Sequence, residues 1–112
     1  MAVASLSSDV QAVIRQVLAF VSKTRQLDGE FETRLGVDRG DLAEVLMRWP
    51  AVDDRSDEAP ATLAINNALN EVARGLDLSA EEWLQIGATR TEVEAAYAVW
   101  ARSRGSEPTG LR

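Results

Sequence analysis

In the first quarter of the chain, Val10, Val13, Ile14, Val17, Leu18 and Val21 recur at spacings of three and four residues. That period predicts an amphipathic helix with one broad apolar face. Ser8 and Asp9 mark its start, and it is expected over about residues 9–26. Asp28 is expected to cap a short second helix over 29–35, and Gly36 follows where a left-handed residue ends a helix. Asp38 then opens a third helix over 39–49, with Asp41 in its first turn, where the helix dipole favours a carboxylate. Leu42, Val45, Leu46 and Trp49 form its stripe, and Pro50 prevents its continuation.

The apolar period breaks over residues 50–59 (PAVDDRSDEA), a polar, acidic stretch read as a solvated loop. Pro60 suits the first turn of a fourth helix over 60–74, whose buried face is Ile65, Ala68, Leu69 and Val72 and whose stop is Gly75. Ser79 with Glu82 and Thr89 with Glu92 have the spacing of capping boxes, so they open helices over 80–86 and 90–103, the first ended by Gly87. Val93, Ala96, Tyr97 and Trp100 face inward on the last helix. The tail GSEPTGLR has no apolar face to bury. The expected class is therefore all-α, with about six helices in one domain over 1–104 and a flexible tail over 105–112.

The two parts of the chain also align without gaps at a shift of 51 residues. Ile14 falls on Ile65, Leu18 on Leu69, Val21 on Val72, Gly36 on Gly87, Arg39 on Arg90 and Trp49 on Trp100. The matches sit at core positions, caps and helix-ending glycines, the residues that fix a backbone. They predict an internal repeat over 9–50 and 60–101: two pseudo-symmetric three-helix halves, each a long helix followed by a corner. A unit of that size buries too little surface to stand alone, so the halves should share one core.

Composition narrows the chemistry. The chain has no Cys and no His, which removes disulfides, thiolate ligands, thiol nucleophiles and the commonest general base and metal ligand. Gly-rich phosphate loops and metal-ligand clusters are absent from its pattern, so the expectation is no enzyme and no cofactor. The net charge of −6 opposes phosphate backbones and anionic membranes. Much of the acidic excess lies in the central stretch, where residues 52–60 hold one basic and four acidic side chains. The most apolar run, Val10 to Val21, is too short to span a bilayer, and the N-terminus lacks a signal-peptide pattern. A cytoplasmic protein is expected. Eleven Arg against one Lys, with abundant Ala, suggests a GC-rich bacterial genome.

Each half ends in a short helix, a Gly turn and a capped helix. The first copy places Phe31, Leu35, Gly36, Val37, Leu42 and Val45 in this pattern, and the second places Ile86, Gly87, Ala88, Val93 and Ala96. Over roughly twenty residues per half this resembles the DNA-binding helix-turn-helix, which implies a recognition helix at 39–49 or 90–103. The chain departs from that motif four residues before each Gly, where a small residue is wanted and Glu32 and Trp83 stand. The would-be recognition helices also pair Arg39 with Asp41 and Glu44, and Arg90 with Glu92 and Glu94, and those carboxylates oppose phosphate.

Three other features are candidates for contact. Asn66, Asn67 and Asn70 lie within a helix, where Asn is a poor helix former, and are read as a hydrogen-bonding patch or a buried network. Asp53, Asp54 and Asp57, with Glu58, form an acidic loop that fits a basic partner by steering; a cation site is the lesser reading, because the spacing lacks the calcium-loop pattern. Trp49 and Trp100 are expected as equivalent core fillers, and Trp83, which aligns with Glu32, as the exposed Trp. The function expected from these residues is a non-catalytic acidic protein-interaction module of inhibitor, immunity or adaptor type. Its partner is another protein, with a second copy of the chain as one option, and nucleic acid is disfavoured. The alternatives are a helix-turn-helix-like transcriptional regulator and a small-molecule binder between the halves.

Overall fold

Every expected helix is present in the computed structural model, which describes residues 3–105, and local capping chemistry sets the helix ends. Helix α1 spans Ser8–Lys23. Its cap is Ser7, whose Oγ accepts the Val10 N–H at 3.3 Å. It ends short of residue 26 because Thr24 turns extended and caps a separate 3₁₀ turn, Arg25–Leu27. Helix α2 covers Phe31–Leu35, and its N-cap is Glu30 without a side-chain bond. The expected cap, Asp28, instead pairs with Arg39 at 2.9 Å. Helix α3 runs Arg39–Arg48 behind a complete capping box: Asp41 N–H donates to Asp38 Oδ1 at 2.8 Å and Asp38 N–H to Asp41 Oδ2 at 3.2 Å.

Helix α4 spans Pro60–Asn70 and then widens into a π-helical turn, Glu71–Gly75. The turn encloses a buried carboxylate. Glu71 is buried, and its carboxylate folds back onto Gly75, where any Cβ would collide with Oε1. Arg34 of α2 holds that carboxylate at 3.3 Å, and the Leu76 N–H closes the turn on the Glu71 carbonyl at 2.7 Å. Helices α5 (Ala80–Ile86) and α6 (Arg90–Ser103) both start at the predicted capping boxes. A 3₁₀ turn at Val3–Ser5, absent from the sequence expectation, tucks Val3 fully into the core. Among the described residues there is no strand, and the class is all-α. The expected tail lies, beyond Gly105, outside the described residues.

The core is one cluster. Ile14, Leu18 and Val21 of α1 are fully buried, as are Ile65 and Leu69 of α4 and Val72 of the following turn. The long helices pack on each other, and each also covers the opposite corner: α1 lies on α5 and α6, while α4 lies on α2 and α3. Two cores of about fifty residues each would bury too little surface, and this interleaving gives one larger core. The halves share their element order, the left-handed glycine and the boxed cap. They differ elsewhere. Trp100 is 1% exposed inside α6, whereas Trp49 is half-buried at the end of α3, so the two are not equivalent core fillers. Ser79 caps its helix, and the aligned Asp28 does not.

Gly36 and Gly87 hold φ of 75° and 81°, the left-handed region that costs an L side chain free energy. Gly36→Val and Gly87→Val are each expected to lose about 1 kcal/mol or more of stability in urea denaturation. Wild-type midpoints in both would refute a left-handed cap at these turns.

Candidate interaction surface

The three helical amides occupy two environments. Asn66 and Asn67 are buried inside α4, and Asn70 is half-buried at its end. Tyr97 Oη donates to Asn66 Oδ1 at 3.0 Å, Asn66 Nδ2 to Asn67 Oδ1 at 3.2 Å, and Asn67 Nδ2 to the Leu35 carbonyl at 2.9 Å. The relay joins α6, α4 and the end of α2. A partner therefore cannot reach Asn66 or Asn67 on the surface, and the buried-network reading describes them.

The acidic loop also divides. Asp53 is exposed and accepts from Arg55, whose Nε stands at 3.1 Å; this hydrogen-bonded guanidinium holds the carboxyl below the usual carboxylate range. Asp57 is exposed and pairs with Arg104. Asp54 corrects the solvated-loop expectation, because it is fully buried. Its Oδ2 accepts the Val3 N–H at 3.0 Å and Trp100 Nε1–H at 3.1 Å, while Arg104 donates to its backbone carbonyl. The Arg104 guanidinium lies 5.2 Å from the Trp100 ring centre. One carboxylate thus pins the N-terminal turn and the loop onto α6. A buried indole needs an acceptor, and that was the one sequence signal for this role.

The α5–α6 corner carries an open apolar groove. Helical spacing puts Ala80, Trp83, Leu84 and Gly87 on one row, and Ala88, Arg90 and Glu92 close the far side of a groove of about 720 Å³. Leu84 is 81% exposed and Trp83 is half-buried. The Arg90 guanidinium sits 5.5 Å from the Trp83 ring centre, within cation–π range. Gly87 also edges a second groove of about 550 Å³, floored by Phe20 and Ile86 and flanked by Arg15 and Lys23. Two carboxylates beside this corner are already engaged. Glu92 accepts the Thr89 N–H at 2.9 Å. Glu82 accepts the Ser79 N–H at 3.0 Å and Gln26 Nε2 at 2.6 Å, bonds that hold its carboxyl below the usual range.

The aligned first corner differs. Arg39 lies 4.4 Å from the Phe31 ring centre, donates to the Ser22 carbonyl at 2.7 Å and pairs with Asp28. Its donors serve the end of α1, a favourable place for a cation.

Among the described residues no group of three or more acidic, His or Cys side chains is placed to hold a metal ion, and no helix is long and apolar enough to cross a membrane. Comparison of the chain with protein-family models, with curated proteins and with solved structures returned no match.

Two outcomes are expected here. Asp54→Ala removes the acceptor of two buried donors and should cost about 2–5 kcal/mol in urea denaturation, with Asp54→Asn losing less because an acceptor oxygen stays. An unchanged midpoint for Asp54→Ala would place this carboxylate outside the core. For Glu82 the folded pKa is depressed, so its stabilisation is complete above the ordinary Glu value of about 4.3 and fades as pH falls through the lower folded value. The stability difference between wild type and Glu82→Gln should therefore hold steady near neutral pH and shrink on acidification; a difference that grows in acid contradicts the capping role.

Proposed function

We propose that this chain is a non-catalytic protein-interaction module, of inhibitor, immunity or adaptor type, in a bacterial cytosol. The observation that carries the reading is the α5–α6 groove. An almost fully exposed Leu84 beside a half-buried Trp83 is a costly surface for a monomer in water, and Trp at the centre of an apolar patch is a common anchor in protein interfaces. The absence of His and Cys from the sequence and the net charge of −6 support a partner other than a catalytic substrate or a nucleic acid. The bacterial setting rests on the excess of Arg over Lys.

A transcriptional regulator is the second reading, and the corner geometry favours it: a short helix, a left-handed glycine and a boxed-cap helix. Against it stand Arg39, which is engaged by the Ser22 carbonyl and Asp28, and the carboxylates of Glu44, Glu92 and Glu94 along the two would-be recognition helices. A small-molecule site between the halves has less support, because the Asn66 and Asn67 amides bond inward.

Affinity capture from native cytosol with tagged protein, with and without nuclease, separates these readings. A protein partner retained at fixed stoichiometry after nuclease is the expected result. Recovery of nucleic acid, with protein lost on nuclease treatment, would replace the module by the regulator.

A further inference from the structure

We infer that the α1–α5–α6 surface around Gly87 receives an acidic amphipathic segment of a partner protein, which sets an apolar side chain against Leu84 and Trp83 and its carboxylates against Arg15, Lys23 and Arg90. This rests on the interaction-module reading and adds to it the place and the partner's chemistry.

Charge complementarity carries the inference. The protein is acidic overall, yet the groove on the α1 side is lined by two cations, Arg15 and Lys23, and by no carboxylate. Among the described residues no carboxylate stands within ion-pair distance of Arg15, Lys23 or Arg90, nor of Arg25, Arg74 or Arg102, whereas Arg34, Arg39, Arg48, Arg55 and Arg104 are paired. Arg15 and Lys23 are two helical turns apart on α1, so both flank the same groove. Glu82 and Glu92 keep their negative charge while they cap their helices, and Glu92 shares the groove of Arg90, so the cationic excess lies on the α1 side, at Arg15 and Lys23. Glu81 sits one position off the Ala80–Trp83–Leu84–Gly87 row and does not line the groove.

The aligned first corner supplies the contrast within one molecule. There Glu32 replaces Trp83, Thr33 replaces Leu84, and Arg39 is neutralised by Asp28. The second corner thus has Ser79 where the first has Asp28, and two apolar side chains where the first has Glu32 and Thr33, which leaves an apolar row open to a partner. A polyphosphate would meet the full negative charge of the protein over a long footprint. A short acidic helix brings few charges and an apolar anchor, and so fits a small cationic rim around an apolar row.

The test is an NMR titration of the full chain with three probes. These are a synthetic amphipathic helix with Leu and Trp on one face and Glu beside it, the same peptide with Lys for Glu, and a duplex DNA oligonucleotide. The Glu peptide is expected to bind tightest and to shift the Leu84, Gly87 and Arg90 amides. Leu84→Ala should weaken it about tenfold. The double variant Lys23→Glu/Arg90→Glu, its fold checked by circular dichroism, should reverse the preference toward the Lys peptide.

Equal binding of the two peptides, shifts confined to another face, or the oligonucleotide shifting these same amides more strongly would each overturn the inference. So would self-association abolished by Leu84→Arg, which would make the occupant a second copy. A cytosolic partner captured equally by wild type and Leu84→Arg would overturn this surface and leave the module reading standing. Capture of no protein partner by wild type would remove both.

Discussion

Two adjacent amides in the middle of α4 hold the architecture in register. A helix interior is a poor place for Asn, and a buried one is costly unless its polar atoms are satisfied. Here the cost is offset by a directional chain of donors running from Tyr97 through Asn66 and Asn67 to the Leu35 carbonyl. Its last acceptor is an end-of-helix carbonyl that α2 cannot satisfy internally. The relay therefore does two jobs with the same atoms: it completes the C-terminus of α2 and fixes the rotation of α6 against α4. Hydrophobic contact is non-directional and satisfies no carbonyl, so it does not do the first of these jobs.

The ionic contacts follow the same logic of finishing helix ends. Arg39 closes the end of α1, Arg34 holds the Glu71 carboxylate enclosed by the turn after α4, and Arg104 secures the central loop. Exposed pairs such as Arg48 with Glu44 add little, since water screens them. Glu71 is different. It is buried, and its pairing with Arg34 is what makes a carboxylate tolerable there; replacing the pair with apolar residues of similar volume would not be expected to cost much, while removing only Arg34 would. The pair thus specifies the geometry of the turn more than it adds stability.

Features encoded within a few residues were legible in the sequence. Asp38 with Asp41, Ser79 with Glu82 and Thr89 with Glu92 are capping boxes at the expected positions, and Gly36 and Gly87 are left-handed as their places after α2 and α5 required. Features that depend on distant partners were not. Asp54 sits in a run of loop-forming residues, and its buried role is set by Val3 and Trp100, which lie 51 and 46 residues away. The amides of α4 stood out as poor helix formers, but whether they faced water or core depended on Tyr97, 31 residues on. Asp28 had the composition of a cap and pairs with Arg39 instead, because it ends the 3₁₀ turn Arg25–Leu27 and the left-handed Gly29 separates it from α2, which starts at Phe31. Trp49 and Trp100 share an aligned position, but Trp49 sits at the Pro50 helix stop, whereas α6 continues past Trp100.

The two corners differ in how much of their side-chain chemistry the fold uses. Both have a short helix, a left-handed glycine and a boxed cap on the helix that follows, and the second also has a capping box on its short helix. On the outer row of α5, Leu84 is exposed and Trp83 rests partly on the core, while Ile86 and Ala88 are buried. At the first corner the equivalent cation is used to finish α1, so changing it would loosen the fold. At the second corner Arg90 contacts only the face of Trp83 among the contacts described, so its charge can be directed outward at low cost to stability. A binding surface is most easily placed where the scaffold does not need the side chains, and in this molecule that condition is met around Gly87 and not around Gly36.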